Sequence, residues 1–102
     1  MTISIGNYTF QGPFNSTNPL EDRSGVYAIH CLREGKYHLI DIGESHEVKN
    51  RVENHDRISC WKRECSGRLV YSVYYTPNLQ QSGRMKIEQE IRDKYNPPCG
   101  RT

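Results

Sequence analysis

Arg51 and His55 stand four residues apart, one turn on a helix, and share a stripe with Val48 and Val52. A guanidinium at the edge of an apolar stripe seeks a carboxylate or a phosphate, because an unpaired charge is costly to bury there. A half-exposed salt bridge to Glu47 or Glu53 is the structural alternative to phosphate binding. Glu88 has Arg84 and Arg92 one turn away on either side, the spacing of a helix-surface ion pair. Trp61, Lys62 and Arg63 lie in a net-positive stretch from Lys49 to Arg68. An indole beside cations can stack on a base and clamp a nucleic-acid strand, or it can cover the core beside the first helix. His30, His38 and His46 have no ligand spacing to one another.

These side chains need a scaffold, and the local patterning supplies one. Residues 1–23 read as an extension. Ile3-Ser4-Ile5 and Tyr8-Thr9-Phe10 alternate around Gly6-Asn7 as a short hairpin, followed by loop chemistry through Pro19. The body, residues 24–102, opens with strand formers from Gly25 to Leu32, turns at Arg33-Glu34-Gly35-Lys36, and returns from Tyr37 to Ile42. Tyr27 then shares a strand face with Ile29 and Cys31. Gly43 ends the second strand, Ser45 is placed to cap a helix, and Leu69 to Tyr75 form a third strand. A last helix runs from about Arg84 to Tyr95, capped by Ser82 and closed by Asn96-Pro97-Pro98, with Ile87, Ile91 and Tyr95 facing the core. The expected fold is α+β: a small three-stranded antiparallel sheet flanked by helices, with the hairpin appended.

Composition narrows the function classes. The chain has 102 residues, 34% hydrophobic and 25% charged, which is one domain with no apolar run long enough to span a membrane. The N-terminus has no secretory-signal pattern, so a cytoplasmic location is expected. Four cysteines without a CxxC pair then read as reduced, packed thiols; a disulfide pair would require an oxidising compartment, and a zinc site would normally show tight pairs. The net charge of +2 is unevenly spread: residues 1–48 hold three Lys/Arg against six Asp/Glu, and residues 49–102 hold eleven against six. A basic second half suits a polyanion, or an ordinary solvated surface.

The order Gly25-Val26-Tyr27, Asp41-Ile42-Gly43, Arg51, His55, Glu88 and Tyr95-Asn96-Pro97 resembles the GIY-YIG nuclease superfamily over about residues 24–98. The resemblance implies a metal-dependent phosphodiesterase. Tyr27 would orient or deprotonate the attacking water, Arg51 would grip the scissile phosphate, and His55 would transfer a proton or contact phosphate. Glu88 would hold one divalent cation, Mg²⁺ or Mn²⁺. Lys49, Trp61, Lys62 and Arg63 are the expected substrate contacts. The expected partner is nucleic acid, DNA before RNA, with a protein partner for targeting and no membrane.

Three positions depart from the pattern. Asp41 stands where the second tripeptide begins with Tyr, Glu44 where many members place Lys, and Gly100 where the late Asn falls by spacing. Two of these add negative charge beside a phosphate site. Asp41 reads as a strand-end residue paired to Arg51, as a second metal ligand with Glu88, or as the mark of a domain that has lost cleavage. The competing readings are therefore a nuclease-derived module that binds nucleic acid or protein without cutting, and a cysteine-based metal or redox module using Cys60, Cys65 and Cys99.

Overall fold

The computed structural model describes residues 1–100. The chain runs β1 (Thr2–Ile5), β2 (Tyr8–Phe14), β3 (Gly25–Arg33), β4 (Lys36–Ser45), α1 (Val48–Glu53), α2 (Ile58–Glu64), β5 (Arg68–Tyr75) and α3 (Gln81–Tyr95). The class is α+β, but the sheet has five antiparallel strands, ordered β1-β2-β5-β3-β4, rather than three. The difference lies in the hairpin. With β3 on one side of β5, the other edge of β5 is open, and an open edge presents unpaired N–H and C=O groups. β2 takes that edge, with Gln11 opposite Val73 and Phe14 opposite Tyr71.

The two faces of the sheet bury different groups. On one, Tyr27, Ile29, Cys31 and Val73 pack with Val48, Val52 and Trp61 from α1 and α2. On the other, Val26, Ala28 and Ile42 pack with Ile87 and Ile91 of α3. The hairpin closes around α3: the Tyr8 hydroxyl donates to Glu90, and the Gly6 N–H donates to the Tyr95 hydroxyl. Strand alternation places Tyr27 with Ile29 and Cys31 as its sequence implies.

Local boundaries differ from the sequence reading where side chains do not cap. β4 continues through Gly43 to Ser45, because Gly43, Glu44 and Ser45 still pair with Tyr27, Val26 and Gly25. Ser45 Oγ accepts the Glu47 N–H in the turn and does not cap α1, whose N-cap is Glu47. α1 ends at Glu53, so His55 lies in the turn to a second short helix rather than on the first one. α3 begins at Gln81, with Gln80 in place of Ser82 at its N-cap.

The cysteines form two disulfides, Cys31–Cys65 and Cys60–Cys99, with no free thiol among the described residues. This corrects the expectation of reduced thiols and removes the thiolates that a zinc or redox module would need. Both bridges hold α2, one to β3 and one to the segment after α3. Among the described residues, no helix is long and apolar enough to cross a membrane.

Candidate active site

The site forms along β4, where the phenol of Tyr27 lies across Gly43. These residues face each other in the β3–β4 pairing, and a Cβ at Gly43 would stand 2.2 Å from the Tyr27 hydroxyl. Only glycine leaves the ring this path. Tyr27 is 2% exposed, and burial pushes its hydroxyl up to about 12, against the pull of Arg51 and Arg57. The charges of Arg51, Arg57, Asp41 and Glu88 all act on this one oxygen. Charges carried by β4, the α1–α2 region and α3 therefore bear on a phenol carried by β3.

His55 sits directly behind Tyr27, its Nε2 at 2.7 Å from the tyrosine oxygen. Its Nδ1 accepts the backbone N–H of Arg57 at 3.0 Å. A peptide N–H can only donate, so this contact favours the neutral ring with its hydrogen on Nε2 and directed at Tyr27, against the pull of Asp56 Oδ1, an acceptor 3.3 Å from the same Nδ1. Burial, reinforced by Arg51 and Arg57, lowers the His55 pKa to about 4 and keeps the ring neutral at ordinary pH. Both ring nitrogens are thus occupied, and at 5% exposure His55 supports Tyr27 from within rather than meeting a phosphate itself.

Arg51 is held loosely. Its side chain is 41% exposed and its partner is Asp56, at 3.1 Å and 73% exposed, instead of Glu47 or Glu53. An exposed pair of this kind is screened by water and can be exchanged for a phosphate.

Asp41 is neither paired to Arg51 nor free to bind a metal. It is fully buried and accepts from Arg57 Nε at 2.8 Å, Trp61 Nε1 at 2.8 Å, Arg92 at 3.0 Å and the Ile42 N–H at 2.8 Å. With donors on both oxygens and no solvent exposure, it has no lone pair facing outward; this corrects its assignment as a metal ligand. Trp61 is corrected with it. The indole is 1% exposed, packed in the core and tied to Asp41, so no base can stack on it. Lys62 and Arg63 remain on the outer side of α2, and Lys49 lies near the Asn18 carbonyl at 3.5 Å.

Glu88 is the carboxylate left partly open. Its side chain is 26% exposed, with Arg92 at 3.6 Å as its ion-pair partner. Arg92 is itself committed to Asp41, the Ile42 carbonyl and the Cys99 carbonyl, while Arg84 pairs with Glu44 at 3.0 Å. Burial raises the Glu88 pKa, Arg92 opposes that, and Glu44 adds to it. The acid at Glu44 is thereby absorbed by Arg84. Gly100, at φ +83°, packs where a Cβ would meet the Arg92 guanidinium at 2.9 Å and Asp41 at 3.0 Å. A larger side chain at that position would displace the buried ion pair.

Among the described residues, no three His, Cys, Asp or Glu side chains gather to hold a cation by themselves. A single half-buried carboxylate suits an ion that keeps several waters and shares its ligation with substrate phosphate, as Mg²⁺ does. Glu88 fits that requirement. The sequence does not mark Arg57, and it marks Arg92 only as a partner of Glu88, since the carboxylate that both hold lies 16 and 51 residues away on β4. No family model matches the chain, and no curated protein or solved structure matches it.

Proposed function

We propose that the protein is a metal-dependent phosphodiesterase of GIY-YIG type acting on nucleic acid, DNA before RNA. The observation that carries this reading is the buried Tyr27–His55 hydrogen bond, at 2.7 Å, on whose phenol the charges of Arg51, Arg57, Asp41 and Glu88 all bear. The body that carries them has the expected order of hairpin, helical segment, strand and helix, in β3-β4, α1-α2, β5 and α3.

Each residue has a part that its surroundings permit. Arg51 leaves Asp56 for the scissile phosphate and stabilises charge developing on its oxygens. Tyr27, kept protonated by burial and bonded to His55, would orient the attacking water across Gly43, which requires the site to open because the phenol is 2% exposed. Glu88 would hold the divalent cation, which supplies Lewis-acid activation of the phosphate and a more acidic bound water. Lys49, Lys62 and Arg63 would attract the backbone by charge alone. A protein partner would bring the substrate. The two disulfides favour an oxidising compartment over the cytoplasm expected from the sequence, since such bridges do not persist among reducing thiols.

A second reading rests on the burial of Tyr27 and His55: the same fold binds nucleic acid without cutting. Labelled single-stranded, duplex and branched DNA and RNA, incubated with Mg²⁺, Mn²⁺ or EDTA, separate the two. Metal-dependent cutting lost in both Glu88→Ala and Arg51→Ala supports the enzyme. Salt-sensitive binding with no cutting on any substrate supports the binder.

A further inference from the structure

Asp41 is itself fully buried, yet it is bonded to two residues that contact His55, Arg57 and Trp61. Arg57 places its guanidinium on Asp41 at 2.8 and 3.3 Å while its backbone N–H points at His55 Nδ1. Trp61 gives its indole N–H to Asp41 at 2.8 Å, and its ring lies against the imidazole with centroids 4.7 Å apart. Neither anchor has a helix cap to hold it: α2 is a seven-residue helix with Arg57 at its N-cap and no side-chain cap bond. The two disulfides fix where α2 lies, and Asp41 fixes how the Arg57 and Trp61 side chains at its start are turned.

From this we infer that Asp41 is a positioning residue, which acts through Arg57 and Trp61 to hold His55 in the Nε2–H tautomer with its hydrogen directed at the Tyr27 oxygen. The inference deepens the phosphodiesterase reading and rests on it for its catalytic consequence. The acid at the start of the second tripeptide is then neither a metal ligand nor a sign of lost activity. It fixes the direction of the Tyr27–His55 hydrogen bond, leaving the phenol hydrogen free to face outward. An imidazole whose Nδ1 were released could take up its hydrogen there and accept from Tyr27 instead, turning the phenol hydrogen inward and away from water.

The test is ring ¹⁵N NMR of the full chain, labelled at histidine, with both disulfides intact. His30 serves as an internal control: it is buried elsewhere on β3, with Nε2 2.7 Å from Ser72 Oγ, and touches none of these groups. In the wild type at pH 7, His55 should be a single neutral species with hydrogen on Nε2. In Arg57→Ala, Trp61→Phe and Asp41→Asn it should become a mixture of tautomers while the His30 signals stay in place. Outer partners that orient a functional imidazole typically matter 10–100-fold, so cleavage by Arg57→Ala should fall by about that factor. Hydrogen on Nδ1 in the wild type would overturn the inference, as would an unmixed Nε2–H tautomer in Arg57→Ala and Trp61→Phe. If Asp41→Asn does not fold, those two variants still decide, because the Arg57 side chain is 30% exposed and Trp61→Phe keeps its ring packing. A wild type that cuts nothing overturns the nuclease reading and leaves the tautomer result standing by itself.

Discussion

Asp41 on β4 and Glu88 on α3 share Arg92 as a neighbour and both act electrostatically on Tyr27, yet their surroundings are opposite. Asp41 is sealed beneath α2 with two arginines, an indole and a peptide N–H on it. Glu88, on the α3 side, keeps a quarter of its side chain in solvent and one guanidinium at 3.6 Å. A carboxylate whose acceptor sites are all filled organises the protein around it. One that burial has partly stripped of water, without supplying donors in return, still has capacity for an outside cation. Charge and proximity alone would have given the two acids the same role; the count of donors separates them.

The contrast can be broken from either side. Glu88→Gln should remove metal-dependent cleavage altogether while leaving urea unfolding within about 0.5 kcal/mol of wild type, since the residue has one loose pair to lose. Cleavage that survives, or a large loss of stability, would place Glu88 with Asp41 as a structural acid. Next in size, Tyr27→Phe should keep the fold and lower cleavage by about 10²–10⁴-fold, the range for a positioned proton-handling group. Rates unchanged by that substitution would remove the phenol from the chemistry.

Asp41→Leu should have the reverse signature, a loss of about 3–5 kcal/mol in urea unfolding, because Arg57, Arg92 and the Trp61 N–H are left without their acceptor. A variant as stable as wild type would mean that these donors find water or each other at little cost. The smallest effect is a pH dependence. His55 and His30 are both held neutral in the fold by burial, down to about 4 from an ordinary 6.5. Above 6.5 neither the folded nor the unfolded chain binds the extra protons. Between 6.5 and 4 the unfolded chain binds them and the folded one does not, so stability falls as pH drops through that window and levels below it. His55→Gln should remove its part of this slope while leaving that of His30. A slope unchanged by the substitution would show that His55 is protonated in the folded protein.

Much of the scaffold is written in local pattern. Alternation placed Tyr27 with Ile29 and Cys31, the Gly6-Asn7 turn was plain, and Ile87 and Ile91 marked the inner side of α3. What escaped depends on partners distant in the chain. Whether a hairpin stays apart or completes a sheet is decided by the open edge of β5, not by the hairpin's own residues. The disulfides join cysteines 34 and 39 residues apart, and four cysteines admit three pairings that spacing does not distinguish. The stripe Val48, Arg51, Val52 and His55 puts His55 on a helix, but α1 ends two residues before it. Trp61 reads either as a base-stacking or a core residue and Asp41 either as a paired or a metal-binding one; their mutual hydrogen bond in the core, which no spacing reveals, decides both.

The most direct test of the account is where a divalent cation goes. Mn²⁺ added to ¹⁵N-labelled protein broadens the amide signals nearest its site, and it can be titrated into wild type, Glu88→Gln and Asp41→Asn in parallel. The account predicts broadening centred on α3 around Glu88 and on Gly43 of β4, lost in Glu88→Gln and kept in Asp41→Asn. Broadening that persists in Glu88→Gln, or that disappears only with Asp41, would contradict the division between the open acid and the sealed one.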